Sequence, residues 1–169
     1  MAALVAAACL CLAACGNGGS SSTTPAATSH SSKRPATSPV EPSSGAAAKA
    51  AIVANWQTFF DGKASIPSRL ALLQNGSQFT AFVEAEAKTS IAQIAAGSSA
   101  KVSSVTFTGP QQATVDYEIL LLGTPALTKQ HGTAVYQAGI WKVGTASFCA
   151  LVYLEYGHSN AKIPAACRG

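Results

Sequence analysis

Residues 114–121 read Thr-Val-Asp-Tyr-Glu-Ile-Leu-Leu, and their alternation decides the fold class. Val115, Tyr117, Ile119 and Leu121 share one face of an extended chain, and Thr114, Asp116 and Glu118 share the other, because successive strand side chains point to opposite sides. Ahead of this stretch, Lys101–Thr108 reads as a strand with a turn at Gly109-Pro110. Behind it, Gly123-Thr124-Pro125 breaks the pattern and Gln130–Gln137 forms a third strand. Ala138-Gly139 then turns into a fourth, long strand running from Ile140 to about Tyr153. Short connections throughout favour an antiparallel meander.

Upstream, the period of the apolar residues changes to that of a helix. Ile52, Val53, Trp56, Phe59 and Phe60 form one stripe, which Asp61-Gly62 ends. Pro67 opens a short second helix, where its missing N–H costs nothing, and Asn75-Gly76 closes it after Leu70, Leu72 and Leu73. Ser77 is a fair cap for a third helix, whose stripe of Phe79, Phe82, Val83, Ala87, Ile91 and Ile94 continues to Gly97. Three helices before a sheet with one apolar face imply an α+β fold, the helices covering that face.

The N-terminus fixes the expected compartment. Residues 2–14 (AALVAAACLCLAA) are apolar without a break. They are too short for a membrane-spanning helix, which needs roughly 20 residues, but suit the apolar region of a signal peptide. Leu12-Ala13-Ala14-Cys15 resembles a bacterial lipobox, in which the cysteine thiol is acylated and the peptidase cuts just before it. No Lys or Arg precedes the apolar run, so the start codon is expected to lie upstream. An ordinary secretory signal with a chance cysteine fits less well, and so does a buried core helix, given the tract that follows. The expected organisation is therefore a signal peptide at 1–14, an acylated Cys15 opening a tether to 45, and a globular domain over 46–169. The expected place is the extracytoplasmic face of the bacterial cell membrane.

The tether composition supports this division. Ser, Thr, Pro or Gly occupy 21 of the 30 positions from 16 to 45, and such a segment cannot bury enough apolar surface to offset the entropy of ordering it. Its end-to-end distance is on the order of 30 Å. Of the five cysteines, Cys9 and Cys11 leave with the signal peptide and Cys15 carries lipid, so Cys149 and Cys167 remain as an even pair in an oxidising compartment. Pairing them contributes up to about 3 kcal/mol in the chain-entropy account.

Charge excludes one class of partner. From residue 46 there are nine basic and six acidic side chains, scattered without a stripe, whereas a nucleic-acid binder clusters its basic residues. No zinc-protease, phosphate-loop, dinucleotide or serine-hydrolase motif occurs in the chain. No metal or cofactor is expected. Asp116 and Glu118 fall opposite the apolar set and read as solvent-facing, Asp61 as a turn residue, and Glu84 and Glu86 as a solvated helix face. His131 and His158 have no sequence-local partner. Catalysis therefore has no assigned residue. Trp56, Phe59, Phe60, Phe79, Phe82, Tyr117 and Trp141 are the aromatics able to line a space between helices and sheet. Most simply they are packing, but Trp56, Phe60, Phe82, Tyr117 and Trp141 are also the candidate lining of an apolar cavity.

Several stretches carry a resemblance: Trp56-x-x-Phe59-Phe60, Leu72-Leu73-Gln74-Asn75-Gly76, Trp141-Lys142-Val143, Ser147-Phe148-Cys149 and Pro164-Ala165-Ala166-Cys167. Over about residues 46–169 the chain resembles small secreted actinobacterial proteins related to the low-molecular-weight mycobacterial antigens. The order of elements is similar to the nuclear-transport-factor-2-like, cystatin-like cone. The resemblance implies an envelope protein without an assigned activity, and it strengthens the pairing of Cys149 with Cys167. The expected role is a non-catalytic module that binds an envelope protein or a hydrophobic small molecule near the membrane. The alternative is a ketosteroid-isomerase-like isomerase, dehydratase or hydrolase, which would use a cone cavity with a carboxylate or histidine beside a tyrosine.

Overall fold

The computed structural model describes residues 45–158 and 161–168. The signal peptide, Cys15 and all but the last residue of the tether expected from the sequence lie outside the described residues. The fold is α+β. Helices α1 (Ala46–Phe60), α2 (Ile66–Ala71), α3 (Thr80–Glu86) and α4 (Ser90–Ala95) precede strands β1 (Ser98–Gly109), β2 (Gln112–Leu121), β3 (Thr124–Gln137) and β4 (Ile140–Val143), and α5 (Thr145–Tyr156) follows. The strands form one antiparallel sheet in the order β1-β2-β3-β4, the expected meander.

Helix α1 forms because Ala48, Ile52, Trp56, Phe59 and Phe60 recur on one face, and all five are buried. It lies against β1 and β4, and Asn55 Nδ2 ties it to the sheet by donating to the Trp141 carbonyl at 2.8 Å. On β2 the alternation holds at its centre. Ala113, Val115 and Tyr117 are buried, and Thr114, Asp116 and Glu118 are half-exposed. Two close approaches depend on glycine. A Cβ on Gly132 of β3 would come within 2.7 Å of Trp56 Cζ2, and one on Gly62 within 1.9 Å of the Ala95 carbonyl oxygen. Gly132 thus lets the largest core side chain lie directly on the sheet.

Three elements differ from the sequence expectation. The third strand starts at Thr124, ahead of the expected Gln130, because Leu122-Gly123 turns in two residues and Leu121 pairs directly with Thr124. The third helix is broken. A 3-10 turn at Gly76–Phe79 leads into α3, and α3 and α4 are separated at 87–89. There Thr89 turns its hydroxyl back to the Glu86 carbonyl at 2.7 Å while its N–H donates to the same oxygen at 2.9 Å. Its backbone is extended. A threonine that bonds the backbone locally competes with helix continuation. Ile91 and Ile94, which continue the apolar stripe, are consequently 47% and 60% exposed.

The long fourth strand is also corrected. It ends at Val143, and Thr145–Tyr156 is helix α5. Phe, Val, Tyr and Cys give this stretch the composition of a strand, but Cys149, Val152 and Tyr156 follow helical spacing, the first two buried and the third half-buried. Gly144 makes the switch. Its N–H donates to the Thr133 carbonyl at 2.7 Å, ending the β3–β4 ladder, and it caps the new helix. Ser147 Oγ then accepts the Thr133 N–H at 2.7 Å, which satisfies the buried serine.

Cys149 and Cys167 form a disulfide. It joins α5 to the C-terminal segment, where Ile163 and Cys167 are buried, and the Tyr153 hydroxyl donates to the Cys167 carbonyl. At Val143 the outer edge of β4 is met by the segment after α2. Leu73 bridges Val143, the Gln74 N–H donates to the Val143 carbonyl, and the Val143 N–H donates to the Leu72 carbonyl, both at 2.8 Å.

Candidate functional site

A cleft of about 540 Å³ lies between α1, α2, α3, α4, α5 and one end of the sheet. Its walls are mainly apolar. Phe59 and Phe60 come from α1, Phe82 and Val83 from α3, Ile91 and Ala92 from α4, Ile119 and Leu127 from the sheet, and Phe148, Leu151 and Val152 from α5. Ile91 and the 62%-exposed Leu154 reach solvent and mark its rim. The helix break at 87–89 borders this opening, with Ala87, Thr89, Ile91 and Ala92 on its wall.

The wall contains three charged side chains. Arg69 of α2 is half-buried. Its Nε donates to the Phe59 carbonyl at 2.8 Å, and its guanidinium carbon lies 5.8 Å from the centroid of the Phe59 ring. Burial holds the guanidinium below its ordinary pKa, and Asp61 acts in the opposite direction. Glu86 of α3 accepts from the Tyr156 hydroxyl, and Glu155 lies beside it on α5. Desolvation, then the hydrogen bonds with Glu86 and Glu155, push the Tyr156 phenol above the usual tyrosine range. Glu86, which reads from sequence as a solvated helix face, is therefore on the cleft wall, because α5 packs its Tyr156 against it.

The five candidate lining aromatics separate into two groups. Phe60 and Phe82 are on the wall of the cleft. Trp56, Tyr117 and Trp141 are instead in the core, at 1%, 3% and 4% exposure. Trp56 meets Tyr117 edge to face with centroids 5.4 Å apart, and Phe60 stacks on Tyr117 at the same distance. Burial pushes the Tyr117 phenol up to about 12. Trp141 contacts Phe107 and Tyr136. Arg69, Phe148, Leu151 and Glu155 are wall residues that sequence reasoning did not single out. Three of these four belong to α5, and Phe148 and Leu151 were hidden by reading their segment as a strand. The helical spacing of Cys149, Val152 and Tyr156 was the signal that could have found them.

Asp116 and His131 pair across β2 and β3, with Oδ1 to Nδ1 at 2.6 Å, and Ser104 Oγ donates to Asp116 Oδ2 at 2.6 Å. The hydrogen bond from Ser104, and then that with His131, hold the Asp116 carboxyl below its ordinary range. The order of groups matters. The carboxylate stands between the hydroxyl and the imidazole, whereas a nucleophilic serine needs the imidazole next to it. None of the three lines the cleft. Glu118 is half-exposed on the same face, and His158 is exposed, stacked on Tyr153 with centroids 4.2 Å apart. Among the described residues, no group of three or more His, Cys, Asp or Glu could hold a metal ion, and no helix is long and apolar enough to cross a membrane.

No curated protein matches the chain. Residues 45–159, spanning α1 to the end of α5, match the family described as low molecular weight antigen MTB12, C-terminal domain. That match covers more than half of the chain, and the protein belongs to this MTB12 antigen family.

Proposed function

We propose that this chain is an extracytoplasmic lipoprotein, held at the membrane by acylated Cys15, whose domain binds a hydrophobic ligand without transforming it. The observation that carries the reading is the apolar cleft, whose volume of about 540 Å³ suits a small molecule. Membership of a family of secreted antigens fits the compartment. We read the helices over the curved sheet as the nuclear-transport-factor-2-like cone, with the cleft at its mouth. The test titrates the full chain with the neutral fluorophore N-phenyl-1-naphthylamine. Saturable one-to-one binding is expected, and Ala92→Trp, which fills the cleft, should abolish it while circular dichroism stays unchanged. Absence of saturable binding, or its survival in a folded Ala92→Trp chain, would sink the reading.

One contact favours a second reading. The Tyr156 hydroxyl against Glu86 sets a tyrosine beside a carboxylate on the cleft wall, the pairing an isomerase-like enzyme uses for proton transfer. Under that reading, the chain exchanges an α-proton of a bound ketone with deuterated solvent, and Glu86→Gln stops the exchange. Binding of the ketone without exchange leaves the non-catalytic module.

A further inference from the structure

We infer that the ligand of the cleft is an alkyl chain with an anionic head, the head held by the Arg69 guanidinium and the chain laid along Phe59, Phe82, Ile119 and Leu151. The inference rests on the cleft reading above and adds the chemistry of the occupant.

The Arg69 side chain enters a mainly apolar wall, away from Glu86 and Glu155 on α3 and α5. Its Nε is used by the Phe59 carbonyl, which fixes the plane of the group. No carboxylate lies within salt-bridge distance, and the two terminal nitrogens have no hydrogen-bond partner among the described residues. A half-buried guanidinium is costly to leave without a counter-charge, and its planar fork is the best side-chain match to a carboxylate or phosphate. Asp61 is the one acidic group whose charge is felt at Arg69, and its Oδ1 already accepts the Lys63 N–H at 2.9 Å. The two acidic wall residues, Glu86 and Glu155, gather at Tyr156 on α3 and α5. They disfavour an anion there, so the positive end of the cleft is the α2 end. Four apolar side chains from four separate elements supply the bed for a chain. A neutral head can accept a hydrogen bond but adds no charge to that of Asp61, and a cation would be repelled.

The experiment uses the full chain carrying Cys15→Ala, so that no acyl group of its own competes. Dodecanoate, dodecyl phosphate and dodecanol are titrated against bound N-phenyl-1-naphthylamine. At least one of the two anions should displace it about tenfold more tightly than the alcohol, a ratio equivalent to about 1.4 kcal/mol. The tighter of the two identifies the head. Arg69→Gln should bring the anion down to the affinity of the alcohol while alcohol binding persists, and Arg69→Lys should keep part of the preference. Equal binding of anion and alcohol by the parent chain would overturn the inference and leave the cleft reading standing. An anion preference that survives in Arg69→Gln would overturn it in the same way. Failure of all three compounds, with no probe bound, would overturn both. The alcohol arm also reports folding, since a collapsed Arg69→Gln cleft loses the alcohol, and Arg69→Lys then decides the question.

Discussion

Among the described residues Leu122 is the most exposed of the large apolar side chains, at 85%, and it stands there with φ at 51°. With Gly123 at φ 81° it makes the two-residue turn between β2 and β3, and the twist of the strands requires positive φ at both positions. A branched side chain pays a steric cost there that Asn or Gly does not. Leu122→Asn should therefore raise stability by about 1 kcal/mol, measured as a shift in the urea midpoint; an unchanged or lowered midpoint would mean that the leucine makes a compensating contact over Gly97, which its Cδ2 overhangs. Gly132 is the opposite case. Alanine suits a strand better than glycine, but its methyl would press on Trp56 and Ser147, both buried. Overpacking wins, and Gly132→Ala should cost about 1–3 kcal/mol by the same measurement.

At the scale of elements, helix α1 and the centre of β2 were legible because their buried residues keep one period. Helix α5 was not. Thr145–Tyr156 has aromatic and β-branched residues in quick succession, and a short apolar run of that kind fits a strand or a buried helix equally well. What settles it is tertiary: Ser147 bonding Thr133, Thr145 bonding Gln74, and Cys149 reaching Cys167. The site was half legible for the same reason. Phe60 and Phe82 are on segments that were read as helical, whereas Phe148 and Leu151 are on one that was read as a strand. Arg69 had no sequence signal at all, since a single arginine in a short helix looks like a surface residue. Because the disulfide fastens α5, reducing it should cost about 3 kcal/mol, and because α5 is a wall of the cleft, probe binding should weaken along with it. A reduced chain that binds the probe as well as the oxidised one would separate the crosslink from the cleft.

For the whole molecule, the buried phenol of Tyr117 sets an alkaline limit. Burial raises it from 10.0 to about 12 in the folded chain. Between those values the unfolded chain has released a proton that the folded chain still holds, so stability falls as pH rises through this window and is unaffected below it. Tyr156 is displaced in the same direction. The urea midpoint should therefore be flat through neutral pH and decline above about pH 10. Tyr117→Phe should make the decline shallower; an identical slope would place the titration elsewhere.

The segment Leu72–Gln74, bonded along Val143, has a bearing on how copies of this protein meet. A stack of sheets grows only if each copy offers two bare borders, one to receive and one to donate. Here the chain itself occupies the β4 border at Val143. A strand added along β4 would meet this segment at Val143, whereas β1 ends the sheet on the other side.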